Sequence, residues 1–303
     1  MNKIKKLFYY LLKDKRKLKL FILYKFSKCY SDEKFLKKLF KLRMGKELNL
    51  DNPQTFSEKL QWLKLNNRQP IMCDIVDKVE AKKYVTSLIG EEYIIPTLGV
   101  YNSVDEIDFE ALPKQFVLKC THDSGGLVIC KDKSKLDIKS VKKKLARSLK
   151  SNYYYQNREW PYLNVKPRII AEQYMEDESG YELKDYKFFC FNGDPKCCQV
   201  IAGRSDVMSV DFFDENWNHL PFQEPRVYPF SPVIVSRPQY YEIMWELARK
   251  LSANQPFLRV DFYNINGQIY FGELTFFPTS GMGGFDPEEW DYTFGSWIKL
   301  PNE

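Results

Sequence analysis

Hydrophobic residues recur at helical intervals over the first part of the chain and at strand intervals over most of the second. At the N-terminus Phe8, Tyr9, Leu11 and Leu12 precede Leu18, Leu20, Phe21, Ile22 and Leu23, and then Phe35, Leu36, Leu39, Phe40 and Leu42, all set among lysines. That spacing predicts one or two amphipathic helices. Residues 47–70 hold a loop and then a helix that Thr55 or Ser57 can cap, carrying Phe56, Leu60, Trp62, Leu63 and Leu65. Residues 74–89 predict one further helix, ended by Gly90, and 98–101 a short extended run; 103–112 form a short helix or turn.

From residue 115 the period shortens. Phe116, Val117 and Leu118 predict a strand ending at Lys119, and a loop with Gly125 and Gly126 leads to a second strand at 127–130. A basic helix over 137–151 and an aromatic, irregular stretch over 152–168 follow. Strands are expected at 169–174, 185–191, 197–201 and 208–213. A helix comes next, bearing Tyr241, Ile243, Met244, Leu247 and Leu251, and then strands at 257–263 and 268–274. The last two are joined through Asn266-Gly267, a hairpin signal because Asn and Gly tolerate positive φ. The organisation expected is α+β, with antiparallel sheets and helices on their faces.

Charge divides the chain. Residues 1–50 carry 16 Lys and Arg against 4 Asp and Glu, a net of +12; the remainder carries 30 against 36, a net of −6. Lys13, Lys15, Arg16, Lys17 and Lys19 interrupt every apolar stretch there. Neither the apolar core of a signal peptide nor a membrane-spanning helix is expected. Two readings stand for this basic extension: peripheral contact with an anionic membrane through residues 1–45, or packing on the body with a solvated lysine face. No nucleic-acid motif accompanies the charge. The seven cysteines are irregularly spaced and the histidines number two, a set that suits neither CxxC redox chemistry nor zinc; a cytoplasmic setting with free thiols is expected.

Asp261 stands five residues before Asn266 and Glu273 six after Gly267, so the two lie roughly opposite each other across the predicted hairpin. Paired carboxylates there suit Mg²⁺, which takes such oxygens together with substrate phosphates. Arg259, two residues before Asp261, points to the same face and adds a fixed positive charge. A surface ion-pair cluster would use the same residues. In FVLKCTHDSGG, Lys119 ends a strand and a loop of Thr, His, Ser and Gly follows, a composition suited to an anion-binding nest but also to an ordinary hairpin. The Walker pattern is absent. Residues 169–175 form an apolar run that turns polar, either a core strand or an edge that reads a purine.

Together NPQTFSEKLQWLK, FVLKCTHDSGG, DYKFFCFNG and LRVDFYNINGQIYFGELTFFPTSGMGGF resemble the ATP-grasp superfamily, most closely its TupA-like branch, from about residue 50 to the end. The resemblance implies an ATP-grasp fold, two α+β subdomains with antiparallel sheets gripping ATP, behind the basic helical extension. The divisions expected are 1–50, 51–112 (helical), 113–172 (small lid) and 173–303 (metal-bearing). It implies ATP and Mg²⁺ as cofactors. Lys78, in the DKVEAK helix, and Lys119 would be the phosphate lysines. His122, Ser124, Gly125 and Gly126 would form the closing loop, and Glu172, Gln173, Tyr174 and Met175 the adenine hinge. Lys187 would contact nucleotide or substrate. Asp261 and Glu273 would bind metal, and Arg259 would stand beside the transferred phosphoryl group. The family usually has Asn where Thr275 stands, so Thr275 is the expected third metal contact. Residues 278–282 resemble the loop lining the acceptor site.

The reaction implied joins a carboxylate to an amine through an acyl phosphate, with Arg259 and Lys119 stabilising charge on the moving phosphoryl group. The branch implies a role in surface-polysaccharide synthesis, with a uronic-acid-containing glycan and an amino acid as partners. The alternative is a nucleotide-sugar glycosyltransferase. No Asp-x-Asp occurs; Asp211 and Asp214 form only Asp-x-x-Asp. A kinase-like transfer to a hydroxyl and a non-catalytic scaffold are the further alternatives.

Overall fold

The computed structural model describes residues 14–177, 183–202, 208–224, 229–231 and 235–301. The helical spacing at 8–12 lies outside these residues. Helices α1 (Lys15–Lys25) and α2 (Asp32–Met44) form from the basic N-terminal pattern. Ser31 caps α2 by accepting from the Lys34 N–H, and Gly45, at φ 81°, ends it. Phe35, Leu36, Leu39 and Phe40 of α2 are buried with Leu23, Leu48 and Met282. This helix therefore packs on the body, whereas α1 leaves Phe21 and Ile22 exposed, as is Phe26 just after it.

Helix α3 (Phe56–Asn66) begins with a capping box in which Thr55 and Glu58 bond each other's backbone. Ser57 instead serves packing: its N–H and hydroxyl both donate to Asp291. The single helix expected over 74–89 is two, α4 (Ile71–Val76) and α5 (Glu80–Ile89). Asp77 breaks it, because its carboxylate accepts from the N–H groups of Val79 and Glu80 while its own backbone turns extended.

A four-stranded antiparallel sheet runs in the order β1 (Thr97–Tyr101), β4 (Ile169–Gln173), β2 (Phe116–Cys120), β3 (Leu127–Cys130). Helix α6 (Ile138–Leu149) covers one face, where Val141 and Leu145 meet Phe116, Leu118 and Cys120. The aromatic stretch that follows contains a short helix, α7 (Tyr154–Asn157), and a 3₁₀ turn at Trp160–Tyr162. The second antiparallel sheet has five strands in the order β7 (Ser209–Phe213), β6 (Asp194–Ala202), β5 (Asp185–Phe191), β8 (Phe257–Ile265), β9 (Gln268–Thr275). Asn266 and Gly267 turn β8 into β9 with φ of 51° and 84°.

Both faces of this large sheet are covered, so central β5 is buried at every position. On one face lies helix α8 (Tyr241–Leu251), whose Tyr241 and Trp245 each stand 5.7 Å from the Phe188 ring. On the other, α3 and helix α9 (Glu289–Trp297) bring Phe56 and Phe294 against Phe191 and Phe257. Phe294 is the hub of this second layer, with ring contacts to Phe285 at 4.7 Å and Phe191 at 5.4 Å. Phe294→Ala should lower unfolding free energy by about 3–5 kcal/mol, read from urea denaturation with an unchanged slope.

Candidate active site

Side chains alternate across a strand, and the face of the large sheet that carries Phe189, Phe191 and Phe257 also carries Asp185, Lys187, Arg259, Asp261, Glu273 and Thr275. Its apolar end is roofed by α3 and α9. Its polar end faces a cavity of about 210 Å³. Lys187 pairs in register with Asp261, Asp261 with Glu273, and Arg259 with Thr275. The opposition of Asp261 and Glu273 depends on a bulge at Gly272, where the pairing set by the Asn-Gly turn slips by one residue. A Cβ on Gly272 would stand 3.1 Å from the Asp261 carbonyl oxygen.

Asp261 is the centre of this constellation. Arg259 grips it with both prongs, Nε at 2.7 Å and Nη2 at 2.8 Å, and Lys187 Nζ donates to the same carboxylate. Burial raises the Asp261 pKa, but Arg259 and Lys187 outweigh burial and hold it below the usual carboxylate range. Burial also pushes the Lys187 pKa down, further than the Asp261 charge restores it. Arg259 Nη2 donates to the Thr275 hydroxyl at 3.1 Å and stands 3.9 Å from Glu273, whose side chain is 41% exposed. Asp261 is thus committed to cations, while Glu273 is open to the cavity.

The opposite wall comes from the small sheet and its glycine loop. Lys119 lines the cavity with Lys78, Ser124, Gly126, Asp185, Lys187, Asp261 and Glu273. Lys78 stands in the break between α4 and α5 rather than in a helix. Its backbone N–H donates to the Thr121 carbonyl at 3.3 Å and its Nζ to the Asp123 carbonyl at 2.6 Å, which brings it against the loop. Asp123 shapes the loop by accepting from the Gly126 N–H at 2.9 Å and from the Ser148 hydroxyl. Ser124 and Gly125 form its exposed tip. His122, expected in the phosphate-binding set, is turned away: it is buried, and its Nε2 meets the Ser148 carbonyl at 3.1 Å.

A second cavity, of about 400 Å³, adjoins the first and shares Lys119, Leu127, Asp185 and Tyr263 with it. Ile95, Val117, Leu127 and Ile129 make it apolar, and Gln173, Tyr174 and Met175 line it where β4 ends. Leu127 and Ile129 are exposed there, although large and apolar. Glu172 lines the same slot, but its carboxylate bridges Lys82 at 2.5 Å and Lys119 at 2.6 Å and so is not free to hold a base. Lys82, which the sequence reading missed, also donates to the Ile95 carbonyl at 2.7 Å and the Thr97 hydroxyl at 2.9 Å. Nothing in the sequence separates it from its exposed neighbour Lys83. The Asp-x-x-Asp pair is likewise accounted for structurally: Asp211 accepts from the Ser231 N–H and meets His219, each at 3.0 Å, and Asp214 accepts from the turn amides of Asn216 and Asn218.

An apolar slot leading into a cavity lined by three lysines and two opposed carboxylates suits a nucleoside polyphosphate carrying a divalent ion. Among the described residues no group of three His, Cys, Asp or Glu side chains could hold a metal. Asp261 and Glu273 therefore fit an ion that completes its shell with ligand oxygens, as Mg²⁺ does on phosphates.

Burial raises the Glu172 pKa, but Lys119 and Lys82 outweigh it and keep it low. A folded-state pKa below the ordinary value of about 4.3 contributes stability that is complete above that value and lost as pH falls through the folded one. Glu172→Gln should therefore be less stable than wild type at pH 7, and the gap should narrow as pH drops below about 4. Urea titrations at pH 7 and pH 3 read this; an equal gap at both would mean that the two ion pairs contribute nothing.

Comparison with known proteins bears on the whole arrangement. No curated protein matches the sequence. Among solved structures, a D-alanine–D-alanine ligase from Bacillus anthracis complexed with ATP is similar at 16% identity, over 66% of this chain and 53% of that one, with a TM-score of 0.39. The D-alanine–D-alanine ligase of Helicobacter pylori is similar at 14% identity, over 80% and 69%, with a TM-score of 0.41. Biotin carboxylase from Campylobacter jejuni is similar at 14%, over 75% and 47%, with a TM-score of 0.41. The chain thus spans about half the length of the first and third of these. The family model described as TupA-like ATPgrasp matches residues 58–299, from α3 through the β8–β9 hairpin and α9, and the chain belongs to that family.

Proposed function

We propose that this protein is an ATP- and Mg²⁺-dependent carboxylate–amine ligase. The observation that carries the reading is the opposed pair Asp261 and Glu273, flanked by Arg259 and Lys187, facing Lys119 and the glycine loop across one cavity. The apolar slot at Gln173–Met175 takes the adenine, and Lys78, Lys119 and the Ser124–Gly126 loop hold the phosphates. Asp261 and Glu273 hold Mg²⁺, with the Thr275 hydroxyl beside them on Arg259. When bound, the metal supplies charge neutralisation on the phosphate oxygens.

The residues of the chain supply the rest. Arg259 and Lys187 stand where charge grows on the γ-phosphoryl group as it passes to a substrate carboxylate, and Lys119 stands on the opposite side. An amine then forms the C–N bond as the C–O bond to phosphate breaks. Ser124 and Gly125, at the exposed tip of the loop, are placed to close over the phosphates and exclude water. The family resemblance supports a surface-polysaccharide role, with an amino acid or amine joined to a uronic-acid-containing glycan. The exposed Phe21 and Ile22 on lysine-rich α1, with Phe26 just after it, support peripheral attachment to an anionic membrane. No helix among the described residues is long and apolar enough to cross one.

Calorimetry with ATP, with and without Mg²⁺, tests the core of this reading. Wild type should bind ATP in an Mg²⁺-dependent way, and Asp261→Asn/Glu273→Gln should lose that dependence. Lys119→Ala should weaken binding roughly tenfold or more. A wild type that ignores ATP and binds a UDP-sugar would overturn the proposal in favour of a glycosyltransferase. Membrane attachment has its own readout. Phe21→Ser/Ile22→Ser/Phe26→Ser should reduce co-sedimentation with phosphatidylglycerol vesicles without affecting ATP binding; unchanged sedimentation would remove that part.

A further inference from the structure

Of the lysines that line the phosphate cavity, two have commitments of their own. Lys187 serves Asp261, and Lys78 donates to the Asp123 carbonyl at 2.6 Å. Lys119 lines that cavity and the apolar slot alike, with a side chain 22% exposed. Among the described residues the one acid it meets is Glu172, at 2.6 Å. Glu172 is in register with Val117 of β2, and Lys119 follows Val117 by two residues, so acid and lysine share one face of the small sheet.

An ammonium paired one-to-one with a carboxylate is close to electroneutral and attracts a polyphosphate only weakly. The second lysine on Glu172 changes that. From helix α5, Lys82 reaches the other oxygen of the same carboxylate at 2.5 Å. Its Nζ also donates to the Ile95 carbonyl at 2.7 Å and the Thr97 hydroxyl at 2.9 Å, where the chain enters β1. Three oxygens thus surround an amine whose side chain is 13% exposed. With two cations on one carboxylate the triad keeps a single net positive charge, and Lys119 is the member of it that faces the slot and the phosphate cavity.

Lys82 itself lines neither the slot nor the phosphate cavity. The crevice that it does line, with Lys119, Glu172 and Glu273 among others, has a volume of about 20 Å³, room for one water and not for a phosphate. Lys82 therefore acts on an anion at second hand, through Glu172 and Lys119. Its neighbour Lys83 is a contrast, with a side chain 71% exposed and paired to Glu80.

We infer that Lys82 is a positioning residue for nucleotide binding: by pairing with Glu172 it keeps that carboxylate from neutralising Lys119, so that Lys119 meets the phosphates as an uncompensated cation. The inference rests on the ligase reading for the assignment of the slot and the cavity to ATP. Two roles are separated on one acid. Glu172 fixes where the Lys119 ammonium stands, and Lys82 sets how much of its charge an incoming anion feels.

The test is calorimetry of the full-length protein with ATP and Mg²⁺. Lys82→Gln removes the charge but keeps a donor for Ile95 and Thr97, and it should weaken ATP binding about tenfold or more. Lys82→Gln/Glu172→Gln removes the acid as well, returns the triad to a single net positive charge, and should recover part of that loss. A cooperative urea transition shows that each variant is folded; Lys82→Met takes the place of Lys82→Gln if the latter lacks one. The inference falls if Lys82→Gln binds ATP as wild type does. It falls equally if the double variant binds no better than Lys82→Gln, because loss of an acid cannot restore a brace on Ile95 and Thr97. Failure of wild type to bind ATP would instead overturn the ligase reading, and the inference with it.

Discussion

A carboxylate buried in a protein must be paired, and Asp261 is the buried carboxylate around which this molecule is arranged. Its two oxygens take Arg259 from its own strand and Lys187 from the neighbouring one. Removing both partners would leave a charge stranded in the sheet. That need explains why one face of β5, β8 and β9 is apolar at one end and charged at the other. The apolar end is roofed by α3 and α9; the charged end cannot be roofed by hydrophobic side chains without desolvating ions, so it stays open as the cavity. The second sheet repeats the device, one buried carboxylate, Glu172, gathering Lys82 and Lys119. In both places the cations are preorganised by acids, so their orientation does not have to be fixed when an anion arrives.

The N-terminal helices are tied into this scheme. Their basic composition suggests a solvated appendage, yet Phe35, Leu36, Leu39 and Phe40 are buried and Asp32 anchors a buried arginine on the far side of the chain. The extension thus holds the aromatic stretch through Arg158 and the 278–282 loop through Met282, while exposing a lysine-rich, aromatic-bearing helix to the outside. One segment can serve both purposes because helical periodicity gives it two faces.

How much of this could be read from the sequence depended on whether a residue's neighbours were local. Asp261, Glu273 and Arg259 were legible because the Asn-Gly turn fixes register by counting, and strand alternation fixes the face. Lys119 was legible as a charged residue closing an apolar strand. Glu172 was not legible as an ion-pair centre, because its partner Lys82 is distant in sequence and looks like any surface lysine of a helix. His122 was misjudged because loop composition says nothing about which way a ring turns. The helix break at Asp77 was signalled by an Asp that could cap, but it lay inside a pattern regular enough to hide it.

The slip at Gly272 has a consequence for how the β8–β9 hairpin tolerates changes in length. Counted from the turn, the arms run in one frame up to Phe271 and in another from Glu273 onward, with the glycine as the residue that belongs to neither. Loss of a single residue elsewhere between the turn and Glu273 would shift the downstream frame, sending Leu274 to the cavity and Glu273 and Thr275 into the apolar layer. Gly272 is the exception. Its removal would give an unbroken ladder in which Glu273 still faces Asp261, so the parity of the strand survives and only its local bend is lost.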